Sequence, residues 1–461
     1  MRRGLPRVLG VLLAAVTAAG LLSGCAPQAR DDALVVWSLE SQTDRVRTTE
    51  RIAARYTAET GVPVRVVAVD ENQFAQMVMS AAAADDLPDV IGALPLSATW
   101  QMAGNDLLDT RANQEILDEL GAQTFSRRAL SLTARGGQRL AIPSDAWAQI
   151  LVYRKDLFAE AGLPVPDSYA EIERAARRLN RDGMAGISMS TQANDTATGQ
   201  AFEALALANG CRLVDRSGRI TLDSPQCRET FRFVRELTTR YSTPGAQDVD
   251  STRATYFAGR SAMLVWSTFL LDELGGLRDD AMPACPRCQG DPGFLARNTG
   301  IVGAIRGPHA EEPAQYGELT SWTVPVGAQH ERAKDFVRFM MGERGYPDWL
   351  GMATEGKLPA RKGTRQDPEL FTRAWEMAPA GVDTKRRLNE IYPPETIAEL
   401  RDGADQFRRW GFEQQQGVLI GATLGEMPVP RAVNSMLSGA DPGEAAAEAA
   451  DEIRSILTSL N

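Results

Sequence analysis

Asp145 and Trp147 stand two residues apart in the segment AIPSDAWAQILVYRKDLFAEAGL, which runs from Ala141 to Leu163. A carboxylate accepts two hydroxyl hydrogen bonds, and an indole face packs on the C–H face of a pyranose, so side by side they match the amphiphilic surface of a sugar. The competing role for Asp145 is an acid in a turn or helix cap. For each of the eight tryptophans (Trp37, Trp100, Trp147, Trp266, Trp322, Trp349, Trp375 and Trp410) the default is core packing. Trp147 differs because it follows Pro143-Ser144-Asp145 instead of sitting inside an apolar run. Beyond it, Ile150-Leu151-Val152-Tyr153 reads as a buried strand, then comes a short helix ended by Gly162.

Catalytic signatures are thin. The two histidines, His309 and His330, lie in polar, loop-like context and in no metal-ligand spacing. There is no nucleophile elbow, Walker loop or dinucleotide fingerprint. Among 60 carboxylates no pair stands out for glycoside hydrolysis. No catalytic residue, metal ligand or cofactor is assigned, and binding is favoured over catalysis. The cysteines speak of an oxidising compartment. Cys211 and Cys227 bracket two short predicted strands around a turn at Asp215 to Gly218, where a bridge contributes about 3 kcal/mol by chain entropy. Cys285 and Cys288 form Cys-Pro-Arg-Cys; in the cytosol that spacing implies redox chemistry or half a zinc site, but without a surrounding βαβ unit a local disulfide is favoured.

The N-terminus reads as a processing signal. Arg2, Arg3 and Arg7 precede an apolar run from Val8 to Leu22 that is short for a membrane span. Leu22-Ser23-Gly24-Cys25 matches the lipobox of bacterial lipoproteins, which implies cleavage before Cys25 and a diacylglycerol thioether on its sulfur. Residues 1–24 are then the signal peptide and 25–32 a tether. The expected location is the extracellular face of the cell membrane, with the lipid anchor as the only membrane attachment. With 461 residues, 43% hydrophobic and 24% charged, the chain is long enough for two or three globular domains. Its net charge of -10 opposes nucleic acid as a partner.

The elements that must position these groups alternate. Strands are predicted at ALVVWSL, VPVRVVAVD and LPDVIGAL, separated by a helix stopping at Gly61 and a second capped by Asn72. That order predicts a parallel α/β layer whose ligand sits at the strand ends Ser38-Leu39-Glu40, Asp70-Glu71-Asn72 and Leu94-Pro95-Leu96. From Ser168 a second α/β lobe follows. It has a Ser168/Glu171 capping box on a helix stopping at Gly183, a strand MAGISMS, a helix TGQAFEALALANG, and a helix with Ser224 as cap and Pro225 in its first turn. Near the end, GELTSWTVPVGAQHERAKDFVRFMM reads as strand and helix, and DPGEAAAEAADEIRSIL as a last helix.

LAIPSDAWAQILVYRKDLFAEAGLPVPDSYAEI resembles the hallmark of family 1 extracellular solute-binding proteins of ABC importers, mostly carbohydrate binders. LPDV, YFAGRSAMLVWS, AKDFVRFMM and GKLPARKG resemble further motifs of that family, in the family's order. The resemblance implies an α/β fold of the two-lobe periplasmic-binding-protein type (type II), each lobe a mixed sheet flanked by helices, with the ligand cleft between the lobes. It places residues 33–143 and 319–358 in the N-lobe and 144–318 and 359–461 in the C-lobe. The ligand-binding residues it implies are Glu40, Asp145, Trp147, Asn194 and Asp195, with Trp266 as a stacking platform, Trp322, and Arg361 near the return crossover. The implied role is a monomeric carrier of a mono- or oligosaccharide to the transmembrane subunits of an ABC permease. The alternatives are the same fold binding a glycerophosphodiester, polyamine or peptide, an exported carbohydrate-active enzyme, and a redox protein built on Cys285 and Cys288. Leu319-Thr320-Ser321 stands where many relatives carry Gly-Gly, and the Cys-Pro-Arg-Cys loop lies outside the family pattern.

Overall fold

The computed structural model describes residues 32–403 and 405–460, leaving aside the side chain of residue 72. From Leu34 onward the chain forms one compact unit. Strand β1 (Leu34–Ser38) is apolar up to its last residue, Ser38. Helix α1 (Thr43–Thr60) follows and ends at Gly61, whose φ of 75° is the left-handed value that lets its N–H reach back to Thr57 O. Strand β2 (Val64–Ala68), helix α2 (Glu71–Ala83), strand β3 (Val90–Pro95) and helix α3 (Leu96–Gly104) complete the first layer. β1 pairs in parallel with both β2 and β3, Val36 facing Val66 on one side and Val90 on the other. The predicted parallel order is therefore observed. Asn72 is not the cap of α2: the helix begins one residue earlier, which places Asn72 in its first turn.

The Asp145 segment differs from its expected form. Ile142 to Arg154 is one continuous 13-residue strand, β4, so Asp145 and Trp147 lie within it and not ahead of it. Its first half pairs antiparallel with the later strands Gly317–Thr323 and Leu358–Pro359. Its second half pairs antiparallel with β5 (Met263–Ser267) and β6 (Thr299–Val302). Numbering those later strands β7 (Gly317–Thr323) and β8 (Leu358–Pro359), the first sheet has the order β2-β1-β3-β7-β4-β8, and β4 carries the chain from it into the second. The boundary expected at 143/144 falls inside β4 and that at 358/359 inside β8, so the lobes share strands.

In the second lobe helix α4 (Tyr169–Leu179) is capped by Ser168, which accepts from Glu171 N, and ends before Gly183. MAGISMS is extended beside β5 through single parallel bridges at Ala185 and Ser188. Helix α5 (Thr196–Ala208) is capped by Asp195, and helix α6 (Pro225–Arg240) by Ser224 with Pro225 at its start. The predicted hairpin between Cys211 and Cys227 reduces to one bridge, Val214 to Ile220, because Asp215 closes the turn by accepting from the N–H groups of Ser217 and Arg219. Helix α7 (His330–Met340) follows β7. Helix α8 (Gly417–Thr423) returns to the first lobe, so close that a Cβ on Gly417 would lie 2.2 Å from the Trp100 ring. Helix α9 (Pro442–Ser459) ends the chain.

Candidate functional site

A cleft of about 1020 Å³ opens where β1, β3, β4 and β7 present their ends and faces to α5 and the segments after Thr268 and Phe407. Leu39, Glu40, Glu71, Ala93 and Pro95 reach it from the first layer, at or next to the C-terminal ends of β1, β2 and β3, as a parallel sheet requires. β3 is irregular there: its register against β7 shifts between Ile91 and Leu94, and Ala93 holds a φ of 55°. A left-handed alanine is strained, and the strain lies in the cleft wall.

The floor is a buried chain of charges. Lys357, 1% exposed, donates to Glu40 Oε1 at 2.5 Å and to Asp145 Oδ1 at 3.0 Å, with its ammonium 4.3 Å from the Trp349 ring centroid. Arg45 holds Glu40 Oε2 at 2.9 Å, and Trp349 Nε1 donates to Asp145 Oδ2 at 2.8 Å. Burial alone would raise the Glu40 carboxyl; the charges of Lys357 and Arg45 outweigh it and hold the group down at about 2. Glu40 stands just beyond the end of β1, Asp145 on the first half of β4 and Lys357 next to β8, so the triad ties β1 to the far side of the first sheet, across β3 and β7.

A second chain forms the opposite wall. Arg409, 5% exposed, donates to Glu318 Oε2 at 2.5 Å and Glu203 Oε1 at 3.1 Å, and its guanidinium lies 4.7 Å from the Tyr316 ring centroid. Burial pushes Glu203 up to about 7 although Arg409 and the Trp410 N–H draw it down. Tyr316 and Phe269 flank Trp147 at centroid distances of 5.9 and 6.2 Å, which leaves an aromatic corner with Arg45 over the Phe269 ring at 4.8 Å. Trp147 is only half-buried, and Gln101, Gln192, Asn194, Gln200 and Thr320 add amides and a hydroxyl to the lining.

Five of the eight expected ligand-binding residues, Glu40, Asp145, Trp147, Asn194 and Asp195, line this cleft. Three of them are committed to the protein, Glu40 to Lys357 and Arg45 as described. Asp145 accepts from Lys357, Trp349 and Ser144, and Asp195 accepts from Ala197 N, Ser190 Oγ and Val249 N. Three others lie elsewhere. Trp266 precedes the cleft-lining Ser267, so strand alternation turns it to the other face of β5, where Nε1 donates to Val249 O. Trp322 is fully buried against Trp349 and Phe336, pressed on Gly92, where a Cβ would fall 2.3 Å from its ring. The Arg361 guanidinium lies between Phe125 and Phe371 and donates to the carbonyls of Met341 and Leu120 and to Thr124 Oγ1; it ties the crossover together and faces no cleft.

Phe269, Tyr316, Glu318, Lys357, Arg409 and Trp410 are cleft residues that sequence reasoning did not single out. The signal available for some of them was strand alternation: Glu318 shares a face of β7 with Thr320, which also lines the cleft. For Arg409 no local signal exists, since its partners lie 206 and 91 residues away. Both expected disulfides are formed, Cys211–Cys227 and Cys285–Cys288. The expected lipidation site, Cys25, lies outside the described residues. Among the described residues no helix is long and apolar enough to cross a membrane.

The family model for bacterial extracellular solute-binding proteins matches residues 51–379. The chain is 28% identical over 425 residues to the putative ABC transporter periplasmic-binding protein YcjN of Escherichia coli (strain K12), spanning 89% of this chain and 91% of the relative. It is 30% identical over 277 residues to a mannitol-binding protein of Pseudomonas aeruginosa, spanning 56% and 57%. Among solved structures, the GacH receptor of Streptomyces glaucescens superimposes with a TM-score of 0.69 at 19% identity, over 92% of this chain and 98% of the other. UgpB from Mycobacterium tuberculosis, in complex with glycerophosphocholine, gives 0.69 at 17%, over 93% and 99%. At such identities the structures speak for the fold.

Proposed function

The chain belongs to the bacterial extracellular solute-binding proteins, and from that premise we propose that it is the substrate-binding component of an ABC importer, carrying a sugar or sugar-derived polyol. The single observation that carries the ligand class is the aromatic corner of Trp147, Tyr316 and Phe269 inside a cleft otherwise lined by amides, hydroxyls and paired charges. An apolar ring face beside fixed polar groups complements a pyranose or polyol chain. A cleft of about 1020 Å³ accommodates one to several sugar units. Relatives support the class: one is named for mannitol, and solved structures of the fold hold acarbose, ribitol and maltose. Capture proceeds in the cleft, and the lobes close through the shared strand β4 and the crossover beside Lys357.

The protein acts as a monomer, held at the outer face of the membrane by a lipid on Cys25, and hands its ligand to the permease without chemistry. The glycerophosphodiester reading has less support, because every cation lining the cleft is already paired with a carboxylate. Calorimetric titration across neutral sugars and polyols tests the ligand class. We expect dissociation constants near micromolar, about -8 kcal/mol, for at least one member. Binding confined to peptides or phosphodiesters would overturn it. Radiolabelled palmitate appearing on the wild-type chain but not on Cys25→Ala tests the anchor.

A further inference from the structure

The charged groups lining the cleft are seven carboxylates (Glu40, Glu71, Asp145, Asp195, Glu203, Asp248 and Glu318) against three cations, Arg45, Lys357 and Arg409. None of the cations is free. Arg45 serves Glu40, Lys357 bridges Glu40 and Asp145, and Arg409 bridges Glu203 and Glu318. The carboxylates divide likewise. Asp195 and Asp248 cap helices, and four others hold the three cations. Glu71 alone among the seven has no side-chain hydrogen bond or ion pair among the described residues. It is exposed in the cleft at the start of α2, one turn before Phe74, which also lines the cleft.

We propose that Glu71 is a specificity-determining residue that selects an amine-bearing sugar or polyol over its neutral parent and, with the paired cations, excludes phosphorylated and carboxylated analogues. The inference rests on the sugar and polyol reading of the cleft and adds the charge class of the ligand. Two arguments carry it. An anion entering the cleft finds no unpaired cation, and to gain one it must break a buried ion pair, which strands a carboxylate in a low-dielectric site. An ammonium finds an acceptor with no side-chain partner, in the same cleft as an aromatic corner suited to the carbon skeleton. The field agrees in direction: protein packed around Glu71, then the charges of Glu318, Glu40 and Asp70, raise its carboxyl, and a cation seated there relieves that repulsion.

The test uses skeleton-matched triplets titrated calorimetrically into the purified chain at pH 7. Glucose, glucosamine and glucose 6-phosphate form one, and sorbitol, glucamine and sorbitol 6-phosphate a second. Cellobiose, the disaccharide of glucosamine and cellobionate form a third. In any triplet whose neutral member binds, the amine should bind about tenfold tighter and the anion at least tenfold weaker. The amine-to-neutral ratio should fall to about one in Glu71→Gln. An anion equal to its neutral parent, or an amine gain that survives in Glu71→Gln, overturns this proposal and leaves the sugar reading standing. Failure of every neutral sugar and polyol, here and in the wider titration, overturns the sugar reading and this proposal with it.

Discussion

Replacing Lys357 by Met removes the cation from the floor of the cleft while keeping much of its volume. Two charge-assisted hydrogen bonds disappear, those of 2.5 Å to Glu40 and 3.0 Å to Asp145, and both carboxylates stay buried. Arg45 still holds Glu40, and Trp349 still holds Asp145. Stranding a partner of a buried ion pair costs about 3–5 kcal/mol. The titration of Glu40 gives a separate scale. Its fall from 4.5 to about 2 corresponds to about 3 kcal/mol of stability, shared between Lys357 and Arg45. That contribution is complete above about pH 4.5 and is lost as the pH drops through about 2; without Lys357 the folded value rises and the loss begins at higher pH. Urea unfolding followed by tryptophan fluorescence at pH 7 should therefore show Lys357→Met less stable by about 3–5 kcal/mol. Adding Asp145→Asn should restore part of that, with a coupling energy above about 1 kcal/mol. A single-variant cost below about 1 kcal/mol, or strict additivity, would refute the claim that the triad is a mutually dependent charge network.

The other buried acids act with opposite sign. Burial raises Glu203 and Glu273 to about 7 each, and Glu355 and Asp272 also upward, so the folded state holds protons that the unfolded state releases. Stability should then be greatest near pH 5 and decline toward pH 8, and Glu355→Gln should flatten the decline; a thermal unfolding series across that range checks both. Trp147→Ala should weaken sugar binding at least tenfold, about 1.4 kcal/mol, while Trp322→Ala should cost about 3–5 kcal/mol of stability and spare the affinity of the folded protein; titration calorimetry with denaturant unfolding separates the two. Changing both Cys285 and Cys288 to Ser should lower stability by about 2 kcal/mol with sugar binding intact, against about 3 kcal/mol for the longer loop between Cys211 and Cys227, as read by urea midpoints. Ala93→Gly should leave stability unchanged or raise it by up to about 1 kcal/mol in the same assay, because glycine accepts the left-handed φ that alanine resists.

Where a signal is local, the sequence by itself determined the outcome. The strand runs of β1, β2 and β3, the Gly61 stop, the Ser168 and Ser224 caps and the two cysteine pairs all depend on neighbours within a few to sixteen residues, and all are observed. The strand-end positions Glu40 and Glu71 follow from the parallel order, since side chains at those ends meet the crevice whatever the rest of the fold does. Trp147 was legible because a bulky aromatic after Pro-Ser-Asp has no apolar run to join.

What only the tertiary structure decided was which groups remain free. Asp145 reads as an exposed acceptor in one dimension, yet Lys357 and Trp349 arrive from more than two hundred residues away and take its oxygens. The resemblance puts Trp266 and Trp322 beside Trp147, but strand alternation turns one away from the cleft, and the space above Gly92 accepts the other. Arg361 is drawn inward by the carbonyls of Met341 and Leu120 and the hydroxyl of Thr124, all distant in sequence. The physical reason is common to all of these. A buried charge or ring must be satisfied by whatever packs against it, and in a chain that crosses between lobes those partners are set by the crossover and not by sequence proximity.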